Sequence, residues 1–298
     1  MGIGKEAAYE QTNEMRAGVV CLGIIGGGVA ASLAASGRTP VVYNRTPDMY
    51  KKYAGVPHQV SSPAEVAKSS DVIMMAPFDY RTCELLLRGE EGILSEAREG
   101  MIVCCLSTIE VGQARKLYAL CRERGVSFLD VGVTPGALAA EHGLVAMCGG
   151  DEEAFNRAKP VLDDWSSAPI YCGGSGAGMA TKIARNMNTY GFWAVTGEAY
   201  KMAVAAGVDG KKYLEVLARA DQVENMTYKM IQARSVMPDN RLPKEMQGIS
   251  KYMDKDLHAA LELGNELGLK MPVRDCLIQC SESTFDGEEE SEQKGGAR

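Results

Sequence analysis

The sequence predicts an α/β fold in which a doubly wound domain with a parallel sheet is followed by a long interdomain helix and an all-helical C-terminal domain. Three observations predict it. Short apolar runs alternate with helical patterns through the first half of the chain, and a glycine-rich turn follows the first run. After residue 174 the alternation ends, and the spacing of apolar residues is helical from there on.

The apolar runs of the first half have the length and the Val, Ile and Met content of strands buried on both faces. They are Ala17–Leu22, Pro40–Tyr43, Asp71–Ala76, Met101–Leu106 and Phe128–Val133. Helix signals lie between them. Ser62–Glu65 has the pattern of a capping box with proline at the first helical position, and Glu110–Arg124 has helical spacing that stops at Gly125. The alternation indicates right-handed crossover units.

From Gly178 to Ala206 the chain has no proline, and its apolar residues recur at helical spacing. We expect this long helix to link two domains and to contribute to the interface of a homodimer or higher homo-oligomer. Further helices are predicted over Lys211–Ala220, Val223–Val236 and Glu245–Leu267. The predicted organisation is an N-terminal extension over 1–15, a first domain over 16–174, the interdomain helix with a helical domain over 175–280, and an acidic disordered tail over 281–298.

Composition argues against several classes of partner. The formal net charge is −7, most of it at the two ends, and the absence of any basic block argues against binding to nucleic acid or an anionic membrane. No apolar run approaches the roughly 20 residues of a membrane helix. The nine cysteines include no C-x-x-C pair and the three histidines are far apart, so no metal site is expected. The first fifteen residues are polar and do not have the pattern of a signal peptide. We therefore expect a cytoplasmic protein in a reducing compartment, with free thiols.

The turn after the first predicted strand has the position of a dinucleotide-binding fingerprint, G-x-G-x-x-G. Cys21 stands at the first glycine position, while Gly23 and Gly26 keep the other two. Gly23 lets the backbone approach a pyrophosphate, Gly26 lets helix and strand pack closely, and the helix N-terminus offers N–H groups to the anion in a Rossmann-type domain. The expected cofactor contacts are Leu22, Gly23, Ile24, Ile25 and Gly26. A register on Gly26–Gly28, or a purely structural role for the glycines, stays open.

The second predicted strand is followed by Asn44, Arg45 and Thr46. An enzyme specific for NAD usually has aspartate or glutamate here to hold the ribose hydroxyls. Arg45 instead offers a planar guanidinium to a 2′-phosphate, and its two neighbours add neutral hydrogen-bonding groups. The pattern favours NADP(H) over NAD(H), against the alternative of an arginine in a surface loop.

The turn, together with five later motifs, resembles the β-hydroxyacid dehydrogenases, which include 3-hydroxyisobutyrate dehydrogenase and the glyoxylate and succinic semialdehyde reductases. The resemblance runs from about Gly18 to Pro272. The later motifs are Met74–Pro77 for M-L-P, Leu106–Ile109 for S-T-I, Asp130–Gly136 for D-A-P-V-S-G-G, Gly176–Asn186 for the glycine, lysine and asparagine motif, and Lys255–Leu257 for K-D-L. Each is modest alone, but the six in order are specific.

The resemblance implies an NAD(P)-dependent oxidoreductase that interconverts a small aldehyde or keto acid and its hydroxy product. Lys182 would be its catalytic lysine, with Asn186 on the same helix face. A lysine ammonium can stabilise the charge that hydride transfer leaves on the carbonyl oxygen and can donate the proton. The implied substrate-binding residues are Ser107, Thr134, Pro135 and Gly136. The implied cofactor contacts beyond the turn are Ala76, Pro77, Thr108 and Lys255.

Several alternatives stay open. Pro135 has no N–H, so the Thr134–Gly136 turn offers a substrate carboxylate fewer donors than the family's serine-glycine-glycine turn. Imine reductases share the fold and the N-R-T element, but generally carry aspartate or tyrosine at the position of Lys182. A catalytically silent cofactor-binding scaffold is a further alternative. Helix capping is the alternative role for Ser107 and Thr108.

Overall fold

The computed structural model describes residues 15–57, 59–220, 257, 261, 264–265 and 267–285. Lys255 and the predicted helix over Val223–Val236 lie outside these residues, as does most of the predicted helix over Glu245–Leu267. The chain divides into two compact units, Met1–Met187 and Asn188–Arg298. The predicted domain boundary after residue 174 stays a prediction.

The first unit is built on a seven-stranded sheet in the order β2-β1-β3-β4-β5-β6-β7. Its strands are β1 Ala17–Val20, β2 Val41–Tyr43, β3 Val72–Met75, β4 Ile102–Cys105, β5 Ser127–Thr134, β6 Leu144–Gly150 and β7 Ser166–Gly173. Neighbouring strands are parallel except β5 and β6. The predicted α/β class and the first five strands are confirmed. Strands β6 and β7 were missed: β6 follows β5 without an intervening α-helix and so falls outside the strand–helix alternation, and serine, proline and glycine interrupt the apolar pattern of β7.

Helices connect the parallel strands and cover both faces of the sheet, which is why consecutive strand positions are buried. The helices of the first unit are α1 Ile24–Ala35, α2 Pro63–Ser69, α3 Tyr80–Arg88, α4 Val111–Arg122 and α5 Glu152–Asp163. In β4, Ile102 and Cys104 belong to one hydrophobic cluster, while Val103 and Cys105 belong to the other. The Ser62 hydroxyl accepts a hydrogen bond from the Glu65 N–H at 3.3 Å, as the capping pattern predicts.

An ion-pair network lies where β1 and β3 begin. The Arg16 guanidinium donates to the Asp71 carboxylate at 3.1 and 2.9 Å, and Arg98 Nη2 donates to the same carboxylate at 2.9 Å. These two guanidinium groups hold the pKa of Asp71 well below its usual range, against the opposing effect of burial. The network therefore joins the amino ends of two neighbouring strands, at the edge opposite the glycine turn.

The predicted long helix is confirmed as α6, Ala177–Ala205, and it is followed in the second unit by α7, Gly210–Ala220, and α8, Pro272–Phe285. The Glu198 carboxylate accepts hydrogen bonds from the first N–H groups of α8, at 3.1 and 2.9 Å. Helix α8 continues past residue 281, where the disordered tail was predicted to begin, because an established helix extends at little cost. Among the described helices, none combines the length and the apolar character needed to cross a membrane.

Candidate functional site

The glycine turn follows β1 in the register that places Gly23 and Gly26 in the fingerprint. Helix α1 begins at Ile24 with Gly23 as its N-cap, and its first helical hydrogen bond runs from the Gly27 N–H to the Gly23 carbonyl at 2.8 Å. The alternative register on Gly26–Gly28 would start the helix later and is therefore wrong. Cys21 has the left-handed φ of +73° that a glycine adopts without strain. It thus keeps the backbone shape of the missing glycine.

The two fingerprint glycines have different surroundings. A Cβ added to Gly23 would meet no protein atom within 4 Å, so open space lies over this part of the turn. A Cβ added to Gly26 would lie 1.9 Å from the Cys21 carbonyl oxygen, which requires glycine for close packing of helix and strand. The N–H groups of residues 24–26 precede the first helical bond and offer an anion donors at the positive end of α1. This cradle fits a dinucleotide pyrophosphate.

Tyr53 supports the turn from outside the motif. Its hydroxyl donates to the Gly23 carbonyl at 2.8 Å and lies 3.3 Å from the Leu22 carbonyl. Its ring occupies the space where a side chain on Gly27 would be, since an added Cβ would lie 1.9 Å from a ring carbon. The sequence reasoning missed Tyr53, because an aromatic residue in a polar loop carries no local signal of a contact 30 residues away.

Asn44 and Arg45, which follow β2 and are predicted to contact the cofactor, have different surroundings. The Leu22 N–H donates to Asn44 Oδ1 at 2.9 Å, and Asn44 Nδ2 donates to the Thr46 carbonyl at 3.1 Å. Asn44 therefore braces the glycine turn as well as the loop that carries Arg45. The Arg45 side chain is exposed and close enough to Cys21 to influence its thiol. Burial dominates there and raises the pKa of Cys21 to about 11, so the thiol stays protonated at neutral pH.

The predicted residues after β3 and β4 are brought together. The Ser107 hydroxyl is buried and donates to the Pro77 carbonyl, so the S-T-I and M-L-P motifs are in direct contact. Thr108 is exposed beside Ser107. Ala76 directly follows β3, and its N–H donates to the Val20 carbonyl of β1 at 3.0 Å. Helix α4 begins only at Val111, so Ser107 and Thr108 are not its N-cap.

The predicted substrate turn packs on the cofactor helix. Thr134 ends β5, Pro135 precedes a short 3₁₀ helix, and a Cβ on Gly136 would lie 3.2 Å from Ile25 of α1. Farther along, the Ser32 hydroxyl donates to the Ala139 carbonyl at 3.0 Å. The structure thus places the substrate turn directly against the helix that follows the glycine turn.

Lys182 is buried in the first turns of α6, with 8% of its surface exposed. Its stem lies over Gly132 of β5, because a Cβ added to that glycine would be 2.4 Å from the Lys182 Cβ. Burial lowers the pKa of Lys182, and the nearby Arg185 guanidinium lowers it further. Asn186 is half-buried one turn later. A lysine with a lowered pKa gives up its proton more readily than a solvated one and is neutral more often at a given pH.

Asp130 is a second buried charged residue of the site. It lies in β5 between apolar neighbours, and its carboxylate accepts hydrogen bonds from the Gly176 N–H at 2.7 Å and the Met179 N–H at 2.8 Å. Burial raises the pKa of Asp130, while these N–H groups oppose the rise. The sequence reasoning assigned Asp130 no function, although an aspartate inside an apolar strand was a visible signal.

The described residues contain no cluster of three or more His, Cys, Asp or Glu side chains that could hold a metal ion. The described cysteines are free thiols. The ends of β1, β2 and β4 therefore present to a ligand an anion cradle, an exposed guanidinium and a buried hydroxyl. At the start of α6 stands a buried amine with a lowered pKa. Together these groups can hold an anionic dinucleotide and move a proton.

Two family models cover nearly the whole chain. Residues 16–174 match the NAD binding domain of 6-phosphogluconate dehydrogenase, and residues 176–294 match the NAD-binding domain of NADP-dependent 3-hydroxyisobutyrate dehydrogenase. An uncharacterized oxidoreductase of Mycobacterium tuberculosis is 31% identical over 74% of this chain and 75% of its own length. The mitochondrial 3-hydroxyisobutyrate dehydrogenase of Mus musculus is 33% identical over 67% of this chain, which spans 60% of the mouse protein.

Solved structures share the fold. An oxidoreductase from Mycobacterium avium 104 matches with a TM-score of 0.80 and 26% identity, over 92% of this chain and 99% of that one. An imine reductase from Myxococcus stipitatus in complex with NADP+ matches with a TM-score of 0.76 and 20% identity, over 89% of this chain and 92% of that one. The second similarity is one of fold alone.

Proposed function

Since this chain belongs to the β-hydroxyacid dehydrogenase family of NAD(P)-dependent oxidoreductases, which includes 3-hydroxyisobutyrate dehydrogenase, we propose that it uses NADP(H) to interconvert a small aldehyde or keto acid and its hydroxy product. The observation that carries the proposal is the buried Lys182, with its lowered pKa, packed over β5 two residues before the predicted substrate turn. Bound NADPH would supply the hydride. The chain's own residues bind the cofactor, orient the substrate and move the proton.

Arg45 supports the preference for NADP(H). Its guanidinium is exposed at the end of β2, on a loop that Asn44 ties to the glycine turn. Within the described residues its guanidinium has no ion pair, so it is available to a 2′-phosphate. Thr46 adds a hydroxyl beside it. No carboxylate stands at this position to bind an unphosphorylated ribose.

Lys182 would act as the general acid in reduction and the general base in oxidation. Its ammonium form stabilises the developing alkoxide and gives it a proton, and its neutral form removes that proton when the alcohol is oxidised. Asn186, one turn along α6, would hold the lysine or the substrate. Ser107, which donates to the Pro77 carbonyl and lies beside the Cys83 and Cys105 thiols, would offer its oxygen to a substrate hydroxyl or amide donor.

The experiment that tests the proposal is a substrate panel with the purified protein. NADPH oxidation is followed with glyoxylate, other small aldehydes and keto acids, and cyclic imines, with wild-type chain and Lys182→Met in parallel. We expect turnover of one of the carbonyl acids by the wild type, and loss of most of it in the variant while NADPH still binds. Turnover of imines alone would instead support an imine reductase. Cofactor binding without any turnover would identify a silent scaffold.

We further propose that α6 contributes to a homodimer or higher homo-oligomer. Ile183 and Met187 lie one turn apart on this helix and are 42% and 77% exposed, so together they form an apolar patch that a second copy could cover. Met187→Glu should lower the mass measured by light scattering after gel filtration. An unchanged mass would contradict this role of the helix.

A further inference from the structure

Asp130 is a fully buried carboxylate that the proposed reaction does not use. It lies on β5 between Leu129 and Val131, which are also fully buried. Both of its oxygens accept hydrogen bonds from backbone N–H groups, at 2.7 and 2.8 Å, which is the pattern of an ionised carboxylate. A buried charge is costly unless it is paired, so the buried Asp130 carboxylate indicates a specific function at this position.

The partners of Asp130 are the N–H groups at the start of α6. The first N–H groups of any helix have no intrahelical acceptor and need partners. In α6, Ala177 donates to the Gly174 carbonyl at 3.0 Å and Ala180 to the Gly176 carbonyl at 2.9 Å. Gly178 and Met179, between them, donate to the Asp130 carboxylate. Asp130 therefore caps α6 from strand β5, and its negative charge also interacts favourably with the positive end of the helix.

Three glycines bring the start of α6 into contact with the sheet. A Cβ on Gly178 would lie 2.2 Å from the Asp130 carbonyl oxygen, and one on Gly149 would lie 2.5 Å from the Gly178 nitrogen. A Cβ on Gly132 would lie 2.4 Å from the Lys182 Cβ. Any side chain at these positions would push the helix away. The first turn of α6 is thus held directly on β5 and β6.

We infer that Asp130 is a positioning residue, which fixes Lys182 for proton transfer by capping the turn that carries it. Met179, which Asp130 holds, lies three residues before Lys182, so the two are neighbours along the helix surface. Asp130 and Gly132 are two residues apart on β5 and therefore share a face of the sheet. One face of one strand thereby holds both the cap and the lysine stem. The inference rests on the proposed function of Lys182.

Other charged and titratable groups face this region from several elements. Arg185 lies on α6 itself, Arg115 of α4 donates to the Ser175 carbonyl at 3.4 Å, and the Cys148 thiol of β6 lies near Asp130. Asp130 is the buried anion among them. The pKa of Lys182 is lowered by burial and by Arg185, so we expect Asp130 to act on the position of the lysine and not on its charge.

The test compares Asp130→Asn with Asp209→Asn, a matched control. Asp209 also caps a helix with its carboxylate, accepting from Lys211 and Lys212 N–H groups at 2.9 and 3.1 Å, but it caps α7 in the second unit. For Asp130→Asn we expect kcat for reduction to fall about tenfold or more, since small displacements of a reacting group are costly. The loss should appear in kcat, while KM for the carbonyl substrate and NADPH affinity keep their wild-type values, because a displaced general acid weakens the transition state and not substrate binding. Asp209→Asn should change none of these.

A wild-type kcat in Asp130→Asn overturns the inference, even if the melting temperature falls, because a purely structural cap would affect stability alone. If Asp130→Asn does not fold, Gly132→Ala decides, with Gly112→Ala as control: the first displaces Lys182, and the second meets no atom within 4 Å. Wild-type kcat in Gly132→Ala would also overturn the inference. Lys182→Met tests the proposed function separately from the role of Asp130, because activity retained in that variant refutes the proposed function itself.

Discussion

Gly23 and Gly26 lie three residues apart in the same turn, and the structure predicts opposite consequences for a change to alanine. At Gly26 the added Cβ would lie 1.9 Å from a backbone oxygen, so either helix α1 or the end of β1 must shift. At Gly23 the added Cβ would meet nothing in the protein within 4 Å but would enter the space proposed for the pyrophosphate. Gly112, near the start of α4, also meets nothing within 4 Å and serves as control.

The magnitudes follow from packing and helix propensity. Gly112→Ala should stabilise the protein by about 0.5–1 kcal/mol, the usual gain for glycine to alanine in a helix. Gly26→Ala gains the same propensity but adds an overpacking cost of about 1–3 kcal/mol. Its net destabilisation of up to about 2.5 kcal/mol corresponds to a fall of up to about 10 °C in the melting temperature. Gly23→Ala should leave stability unchanged and weaken NADPH binding about tenfold or more, if the methyl group costs about 1.4 kcal/mol against the pyrophosphate.

Two assays separate these effects. Thermal unfolding without cofactor gives the order of stability, and titration of NADPH fluorescence gives the dissociation constant for each variant. The expected pattern is a loss of stability in Gly26→Ala and a loss of affinity without loss of stability in Gly23→Ala. Wild-type affinity in Gly23→Ala would refute the placement of the pyrophosphate on this turn. Equal stability of Gly26→Ala and Gly112→Ala would refute the close contact of helix and strand.

Three further predictions concern charge. Arg45→Asp should weaken NADPH binding about 10- to 100-fold, because it removes a charge-assisted pair with the 2′-phosphate, and should shift the preference toward NADH. The measurement is kcat/KM with each cofactor. An unchanged ratio of the NADPH to the NADH value would discredit the phosphate contact. Because the pKa of Lys182 is lowered from 10.5, reduction should decline with rising pH below that value while alcohol oxidation rises, and pH profiles without such limbs would argue against the lysine. Asp71→Asn should cost about 1–2 kcal/mol at neutral pH in urea unfolding, because two guanidinium groups depress the pKa of Asp71. That difference should shrink as pH falls below about 4, where the wild-type carboxylate is protonated in the unfolded chain. The control is Asp48→Asn, which removes an exposed ion pair and should leave stability unchanged. A cost of Asp71→Asn that is independent of pH would mean that its ion pairs do not contribute to stability.

The sequence by itself predicted the α/β class, the first five strands and the long helix. It did so because apolar spacing and glycine placement report local backbone geometry, which neighbouring residues decide. It also identified Arg45 and Lys182 as candidates, through their positions in motifs rather than through any contact. Of the two strands it missed, β6 follows β5 without an α-helix between them and β7 has an interrupted apolar pattern; β6 is held by pairing with both β5 and β7. Local propensity does not carry that pairing.

Only the tertiary structure decided which residues support the site. Tyr53 contacts the turn across 30 residues, and Asp130 contacts the start of α6 across 46. The structure also placed the predicted substrate turn on α1, where Gly136 faces Ile25. Such contacts depend on how distant segments are brought together by the sheet, so no short pattern encodes them. The sequence determined which side chains could do the chemistry, and the packing of distant elements decided how those side chains are held, because position is a property of the whole folded chain.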